Sequence, residues 1–217
     1  DCILVHGDKN ILPLISDRTR QSNSVQIIND IKHMLKYTGY VCDESQPLHK
    51  QKNNNIYIST GLNKDEAVII FKKIAEIAHL YPNHKFIMPI ANKYNSIGGR
   101  KNKNIYLVEY VPELRNKLID CAGYVTYGGY NATVEILKSQ IPSIVVPRQS
   151  GRKMEQFVRA FTFEPYDYYK VLTMPEFGTI KTVLDEVVGG YKPQRFKYDI
   201  QGTSNSAQIL SDIYNEF

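Results

Sequence analysis

From Ile56 onward, short apolar runs alternate with segments of helical period, and this alternation constrains the chain more than any other feature. Ile56-Tyr57-Ile58-Ser59 reads as a strand. After Gly61 and Asn63 a helix follows, with Val68, Phe71, Ile74, Ala75, Ile77 and Ala78 at helical spacing. Phe86-Ile87-Met88-Pro89-Ile90 and Ile105-Tyr106-Leu107-Val108 are the next strands, and Pro112 opens a helix with Leu114, Leu118 and Ile119 on one face. Gly123-Tyr124-Val125-Thr126 is a strand; a Gly-Gly turn then leads into a helix from about Asn131 to Ser139, and Ser143 to Pro147 is a further strand. Met154 to Phe163, Pro175 to Val188 and Ser204 to Phe217 read as helices, with a short strand at Val171 to Met174. Strands that alternate with helices pair in parallel and need a helical layer on each face, so the expected class is α/β, a Rossmann-like parallel sheet.

The chain before Ile56 follows another rule. Cys2 to Val5 is a short apolar run ended by His6-Gly7-Asp8, and Leu35 to Val41 is a second extended segment across a polar stretch without lasting period. A piece of this size cannot bury its own core. It is expected to be what remains of a separate N-terminal domain in a chain cut from something longer. Asp43 to Asn55, with Pro47 and the run Asn53-Asn54-Asn55, reads as a linker. The expected organisation is an N-terminal remnant over 1–42, a linker over 43–55, a ligand-binding domain over 56–203 and a closing helix over 204–217.

Composition narrows the ligand. Hydrophobic residues at 42% and charged residues at 23% are those of a folded globular protein. Against 22 acidic residues stand 27 basic ones, a net charge of +5, which favours an anion such as a phosphate. The lysines are scattered with no basic block, so no nucleic-acid partner is expected. Cys2, Cys42 and Cys121 show no CxxC spacing, so neither a disulfide framework nor a metal site is expected, and they read as reduced thiols of a cytoplasmic protein. No apolar run reaches the ~20 residues that span a bilayer.

In an open parallel sheet, ligands lie beyond the carboxyl ends of the strands, where loops enter helices. Thr126-Tyr127-Gly128-Gly129-Tyr130-Asn131-Ala132-Thr133 occupies such a position. The paired glycines let backbone approach a bound group, and the helix start offers N–H groups and the positive end of its dipole. Asn131 and Thr133 add short polar side chains. The same residues would also serve an ordinary tight turn with Asn131 as N-cap. Glu135, expected in the first helical turn, has a carboxylate suited to ribose hydroxyls, or simply to the helix dipole. Arg148 and Arg152 offer charge to phosphate, and Glu155 with Gln156 supplies the acceptors and donors that sugar hydroxyls need.

Thr126-Tyr-Gly-Gly-Tyr-Asn131, then Glu135, Pro142, Val145-Val146-Pro147 and Glu155-Gln156 resemble the C-terminal domain of GT-B glycosyltransferases, most of all the MurG-like group and predicted bacterial glycosyltransferases. His6-Gly7-Asp8 and Tyr37-Thr38-Gly39-Tyr40-Val41 resemble the end of the N-terminal domain in that group, so the likeness covers most of the chain. The resemblance implies a hexosyltransferase-like enzyme that takes a sugar from a nucleotide diphosphate sugar, UDP being the usual nucleotide, with no metal and no separate cofactor. It implies diphosphate contacts from Gly128, Gly129, Asn131 and Thr133, a ribose contact from Glu135 and sugar contacts from Glu155 and Gln156, with Gly61 in the first loop that borders the cleft; Tyr127, whose phenol can donate, and Arg148 are further donor-binding candidates. The general base and the acceptor site would belong to the missing N-terminal domain, so this chain alone is expected to bind without turnover. The full enzyme's association with a membrane surface is compatible with the resemblance.

Two departures stand out. Tyr127 replaces the His that many relatives carry before the double glycine, and the first loop Ser59-Thr60-Gly61-Leu62-Asn63 has one glycine where relatives often have several. The rival readings are a non-catalytic nucleotide-sugar-binding subunit completed by a partner chain, a sugar-nucleotide epimerase of the same fold, and an α/β domain that has lost its ligand.

Overall fold

The computed structural model describes residues 2–9, 31–42, 52–59, 64–89, 102–148, 155–197 and 199–215. Most of the expected linker, Gly61, and the segment from Gln149 through Arg152 to Met154 lie outside the described residues. The chain divides into two compact units, Pro47–Phe196 and a smaller one made of Asp1–Gln46 with Lys197–Phe217.

In the larger unit, β3 (Asn55–Ser59), β4 (Lys85–Pro89), β5 (Ile105–Val108), β6 (Gly123–Thr126), β7 (Ser143–Val145) and β8 (Lys170–Val171) form a parallel sheet in the order β5-β4-β3-β6-β7-β8. This is the doubly wound Rossmann order: the chain builds outward from β3 in one direction and then returns to build outward in the other. The reversal falls between β3 and β6, whose carboxyl ends pair Ser59 with Thr126.

The connecting helices are α1 (Lys64–Ile77), α2 (Leu114–Leu118), α3 (Tyr130–Ser139), α4 (Glu155–Phe163) and α5 (Ile180–Val188). Strand period and helix period meet in the core. Ile56, Ile58, Phe86 and Met88, two apart on their strands, share one face and one cluster with Phe71 and Ile74 of α1 and Ile180, Leu184 and Val187 of α5. The alternate residues Tyr57, Tyr124 and Val145 turn to the other face and are buried there. Val134 and Leu137 of α3, and Ala160 and Phe163 of α4, are buried outside the first cluster and supply the second helical layer.

Several boundaries differ from the periodicity: β7 ends at Val145 and not at Pro147, the closing helix starts at Gly202 and not at Ser204, and three others have a local cause. Glu113 adopts the left-handed conformation at φ 50°, so α2 starts at Leu114 and not at Pro112. A 3₁₀ turn over Phe177–Thr179 precedes α5, because Glu176 accepts hydrogen bonds from the Thr173 hydroxyl at 2.6 Å and from its N–H at 3.2 Å and so closes a separate turn. The edge strand is Lys170–Val171, set where Leu172 N–H reaches the Val145 carbonyl at 3.0 Å.

In the smaller unit, β1 (Ile3–Val5) and β2 (Leu35–Tyr37) pair in parallel. The chain then runs through buried Thr38 and Tyr40 to an antiparallel bridge between Val41 and Gln201. The final helix α6 (Gly202–Asn215) is tied to this opening segment: Asn205 Nδ2 donates to the Thr38 carbonyl at 2.8 Å and Gly202 N–H to the Tyr40 carbonyl at 3.1 Å. No described helix is long and apolar enough to cross a membrane.

The three cysteines are free thiols, two of them part-exposed and Cys121 buried. Burial pushes the Cys121 thiol from 9.0 up to about 12, while its Sγ donates to the Gly123 carbonyl at 3.4 Å. The folded thiol holds its proton more tightly than the unfolded one, so this contribution to stability is complete below pH 9 and is lost as pH rises towards about 12. Native chain at neutral pH is expected to be labelled by iodoacetamide at Cys2 and Cys42 and spared at Cys121 until it unfolds, as peptide mapping would show.

Candidate functional site

The loop after β6 stands at the switch point of the sheet, with the end of β3 on one side and the end of β7 on the other. Val146 N–H donates to the Thr126 carbonyl at 2.7 Å and extends the pairing to the mouth of the loop. Beneath it, burial raises the Tyr124 phenol, while hydrogen bonds from Thr126 and Ser59 act the other way.

The two glycines have different duties. Gly128 sits at φ +68°, and a Cβ there would lie 2.6 Å from Val145 Cγ1, so the left-handed turn and the close approach of β7 both require glycine. Gly129 is the residue before the helix at φ −57° and ψ 156°, where a Cβ would meet nothing within 4 Å among the described residues. The first bond inside α3 runs from Thr133 N–H to the Gly129 carbonyl at 2.9 Å, so the earlier N–H groups of the first turn have no partner within the helix. Asn131, in this turn, is exposed.

Thr133 is turned inward. It is 1% exposed and its hydroxyl donates to the Gly128 carbonyl at 3.2 Å, so it fixes the loop from below. The same carbonyl accepts a second hydrogen bond, 3.1 Å long, from Nη1 of Arg159 on α4. Arg159 is itself 8% exposed; its Nη2 pairs with the Glu155 carboxylate, and its guanidinium lies 5.5 Å from the centre of the Tyr130 ring. The exposed Glu155 is thereby joined to the glycine loop through one buried cation. Gln156 has its Oε1 buried and without a hydrogen bond among the described residues.

Glu135 corrects the expectation for its place. Because α3 begins at Tyr130, Glu135 falls in the second turn and no acid lies in the first. Its carboxylate is held 2.9 Å from Arg115 Nε of α2 and is not drawn to the helix start. Arg148 follows β7; its guanidinium lies 5.9 Å from the centre of the buried Tyr127 ring, and its Nε faces Glu66 Oε2 of α1 at 3.7 Å. Both of those atoms are shielded from solvent and neither makes a hydrogen bond among the described residues. Gly61 and Arg152 lie outside the described residues.

The structure thus gathers Tyr127, Gly128, Gly129, Asn131, Thr133, Arg148 and Glu155 around one loop, and holds Glu135 on a separate ion pair. Sequence reasoning passed over Arg159 and Glu66. For Arg159 a signal existed, since Glu155 stands one helical turn before it; for Glu66, a first-turn acid of α1, none did. Two grooves in this unit, of about 340 Å³ beside Tyr57, Tyr106 and Tyr110 and about 510 Å³ beside Asp120, Cys121 and Tyr191, are lined by none of the loop residues.

No protein-family profile matches the chain. By sequence it is 33% identical over 120 residues to the UDP-N-acetylglucosamine–N-acetylmuramyl-(pentapeptide) pyrophosphoryl-undecaprenol N-acetylglucosamine transferase of Streptococcus suis, an alignment covering 54% of this chain and 33% of that protein. By structure it is similar to the glycotransferase of kitacinnamycin, with a TM-score of 0.59 and 15% identity over 85% of this chain and 46% of the other. It is as similar to a structure assigned as a UDP-N-acetylglucosamine 2-epimerase from Listeria monocytogenes, with a TM-score of 0.59 and 12% identity over 89% and 57%. The glycosyltransferase SnogD from Streptomyces nogalater follows at 0.51 and 14%, over 95% and 55%. The chain spans about a third of the length of the curated relatives it matches and about half of these structures. In fold it is Rossmann-like α/β, as is the part of each of these structures that it covers.

Proposed function

We propose that this chain, similar in sequence to a MurG-type transferase and in fold to the C-terminal half of GT-B glycosyltransferases, is the donor-binding part of an enzyme that transfers a sugar from a nucleotide diphosphate sugar, UDP being the first nucleotide to test. The observation that carries the reading is the glycine loop at the switch point of the sheet: Gly128 holds a left-handed turn against Val145 with no room for a Cβ, Gly129 leaves space open among the described residues, and the start of α3 has N–H groups without a partner in the helix. In this reading the diphosphate lies against Gly129 and Asn131. The leaving diphosphate gains charge as the glycosidic bond breaks, and preorganised N–H groups that hold it better at that stage lower the barrier. The acceptor and its general base come from the other half of the enzyme, and the chain alone binds without turning over.

Calorimetric titration with UDP, UDP-sugars, GDP and TDP tests the reading, with Glu135→Ala as the discriminating variant. The Arg115 pair is part-exposed, so its loss costs at most about 1 kcal/mol of stability. UDP affinity is expected to fall about tenfold or more if the carboxylate exchanges Arg115 for ribose hydroxyls, the loss of a charge-assisted hydrogen bond. No binding of any nucleotide at millimolar concentration would sink the assignment.

A further inference from the structure

Arg159 joins two groups that the proposed function treats separately: the Gly128 carbonyl, at the turn of the diphosphate loop, and the Glu155 carboxylate, on the helix assigned to the donor sugar. It does so while almost fully buried, with the Tyr130 ring over its guanidinium and α3 starting at that same tyrosine. The planar, always charged guanidinium can donate in two directions at once, which an ammonium on a flexible stem does poorly. The two acceptors differ in what happens if Arg159 is lost. Glu155, 74% exposed, can return to water, whereas the Gly128 carbonyl keeps only the Thr133 hydroxyl.

We infer that Arg159 is a positioning residue that couples the sugar-contacting carboxylate of Glu155 to the shape of the diphosphate loop, so that a change at the sugar end alters nucleotide binding. This rests on the donor-binding reading for its purpose and on the geometry alone for the coupling. When Glu155 engages a ligand hydroxyl, its hold on Nη2 changes, and Nη1 transmits that change to Gly128. A bystander cation filling a buried gap would show no such dependence on an exposed glutamate.

The coupling is read first without ligand, by amide hydrogen exchange in the full chain at Gly128 and Thr133, whose N–H groups donate to Thr126 Oγ1 at 3.5 Å and to the Gly129 carbonyl at 2.9 Å. Glu155→Gln, an exposed substitution that keeps size and removes charge, is expected to speed exchange there about tenfold, the loss of one charge-assisted hydrogen bond. Arg159→Met is expected to do the same or more, Arg159→Lys not to restore the wild-type rate, and the double variant with Glu155→Gln to exchange no faster than Arg159→Met alone. Exchange in the β4 and β5 segments stays unchanged. Wild-type exchange in Glu155→Gln, or effects of the two substitutions that simply multiply, would overturn the coupling. Titration with UDP, which lacks the transferred sugar that Glu155 would touch, adds a separate result: Glu155→Gln is expected to weaken it about tenfold. If wild-type chain binds neither UDP nor UDP-N-acetylglucosamine, the donor-binding reading fails and exchange still decides the coupling.

Discussion

Gly128→Ala is expected to unfold the larger unit at markedly lower temperature and to weaken nucleotide binding, whereas Gly129→Ala, one residue on, is expected to weaken binding at least tenfold with a much smaller loss of stability. At Gly128 two penalties combine. An alanine at φ +68° costs about 1–2 kcal/mol in backbone strain, and its Cβ, 2.6 Å from Val145 Cγ1, adds about 1–3 kcal/mol of overpacking because β7 is paired on both sides, with β6 and β8, and cannot move away freely. A total of about 3 kcal/mol corresponds to a fall in Tm of roughly 6–12 °C for a unit of this size. Gly129 has φ −57°, which alanine accepts, and empty space where the Cβ would go. Its substitution costs about 1 kcal/mol as a poorer helix cap. The new methyl group would nevertheless stand where the proposed diphosphate meets the N–H groups, so UDP affinity should drop at least tenfold. Thermal unfolding and calorimetry on the two variants separate scaffold from site. Unchanged UDP affinity in Gly129→Ala would mean that the open space at the helix start is not where the ligand sits.

This contrast could not be read from the sequence, which presents the two glycines as equivalent. Periodicity reported what depends on local spacing: apolar residues two apart became strands β3 to β6, the spacing of Phe71 and Ile74 became the inward face of α1, and the alternation of the two kinds of element fixed a parallel sheet. Boundaries shifted where a single side chain or dihedral intervened, as at Glu113 and at the Thr173–Glu176 turn. The loop was recognisable because its chemistry is carried by consecutive residues. The side chains that shape it were hidden because their partners are remote in sequence: Val145 against Gly128, Arg159 on the Gly128 carbonyl, Glu66 opposite Arg148. Glu135 shows the converse. Its position after the glycines marked it for ribose, but Arg115, brought alongside by the turn into α2, competes for its carboxylate.

The opposite end of the sheet should behave as pure scaffold, and Phe86→Ala tests this with the largest expected loss of stability. Phe86 is fully buried near the amino end of β4, in the cluster formed with Ile56, Ile74 and Leu184, with its ring set edge-on to Tyr81 at 5.9 Å. The surroundings cannot collapse into the space it would leave. Tyr81 is anchored by its phenol, which donates to Asp185 at 2.7 Å, and the turn before β4 is held by Asn104 Nδ2, which donates to the Ala78 and Tyr81 carbonyls at 2.8 and 3.0 Å. A buried phenylalanine cut to alanine costs about 3–5 kcal/mol, and a site that does not relax belongs at the upper end of that range. Phe86 stands near the amino end of β4 and the glycine loop follows the carboxyl end of β6, so among molecules still folded the affinity for UDP should match wild type. Denaturant unfolding gives the first quantity and calorimetry below the transition gives the second. A large fall in affinity with intact fold would show that the β4 end of the core reaches the ligand loop, and that the division of the sheet into a binding edge and a supporting edge is wrong.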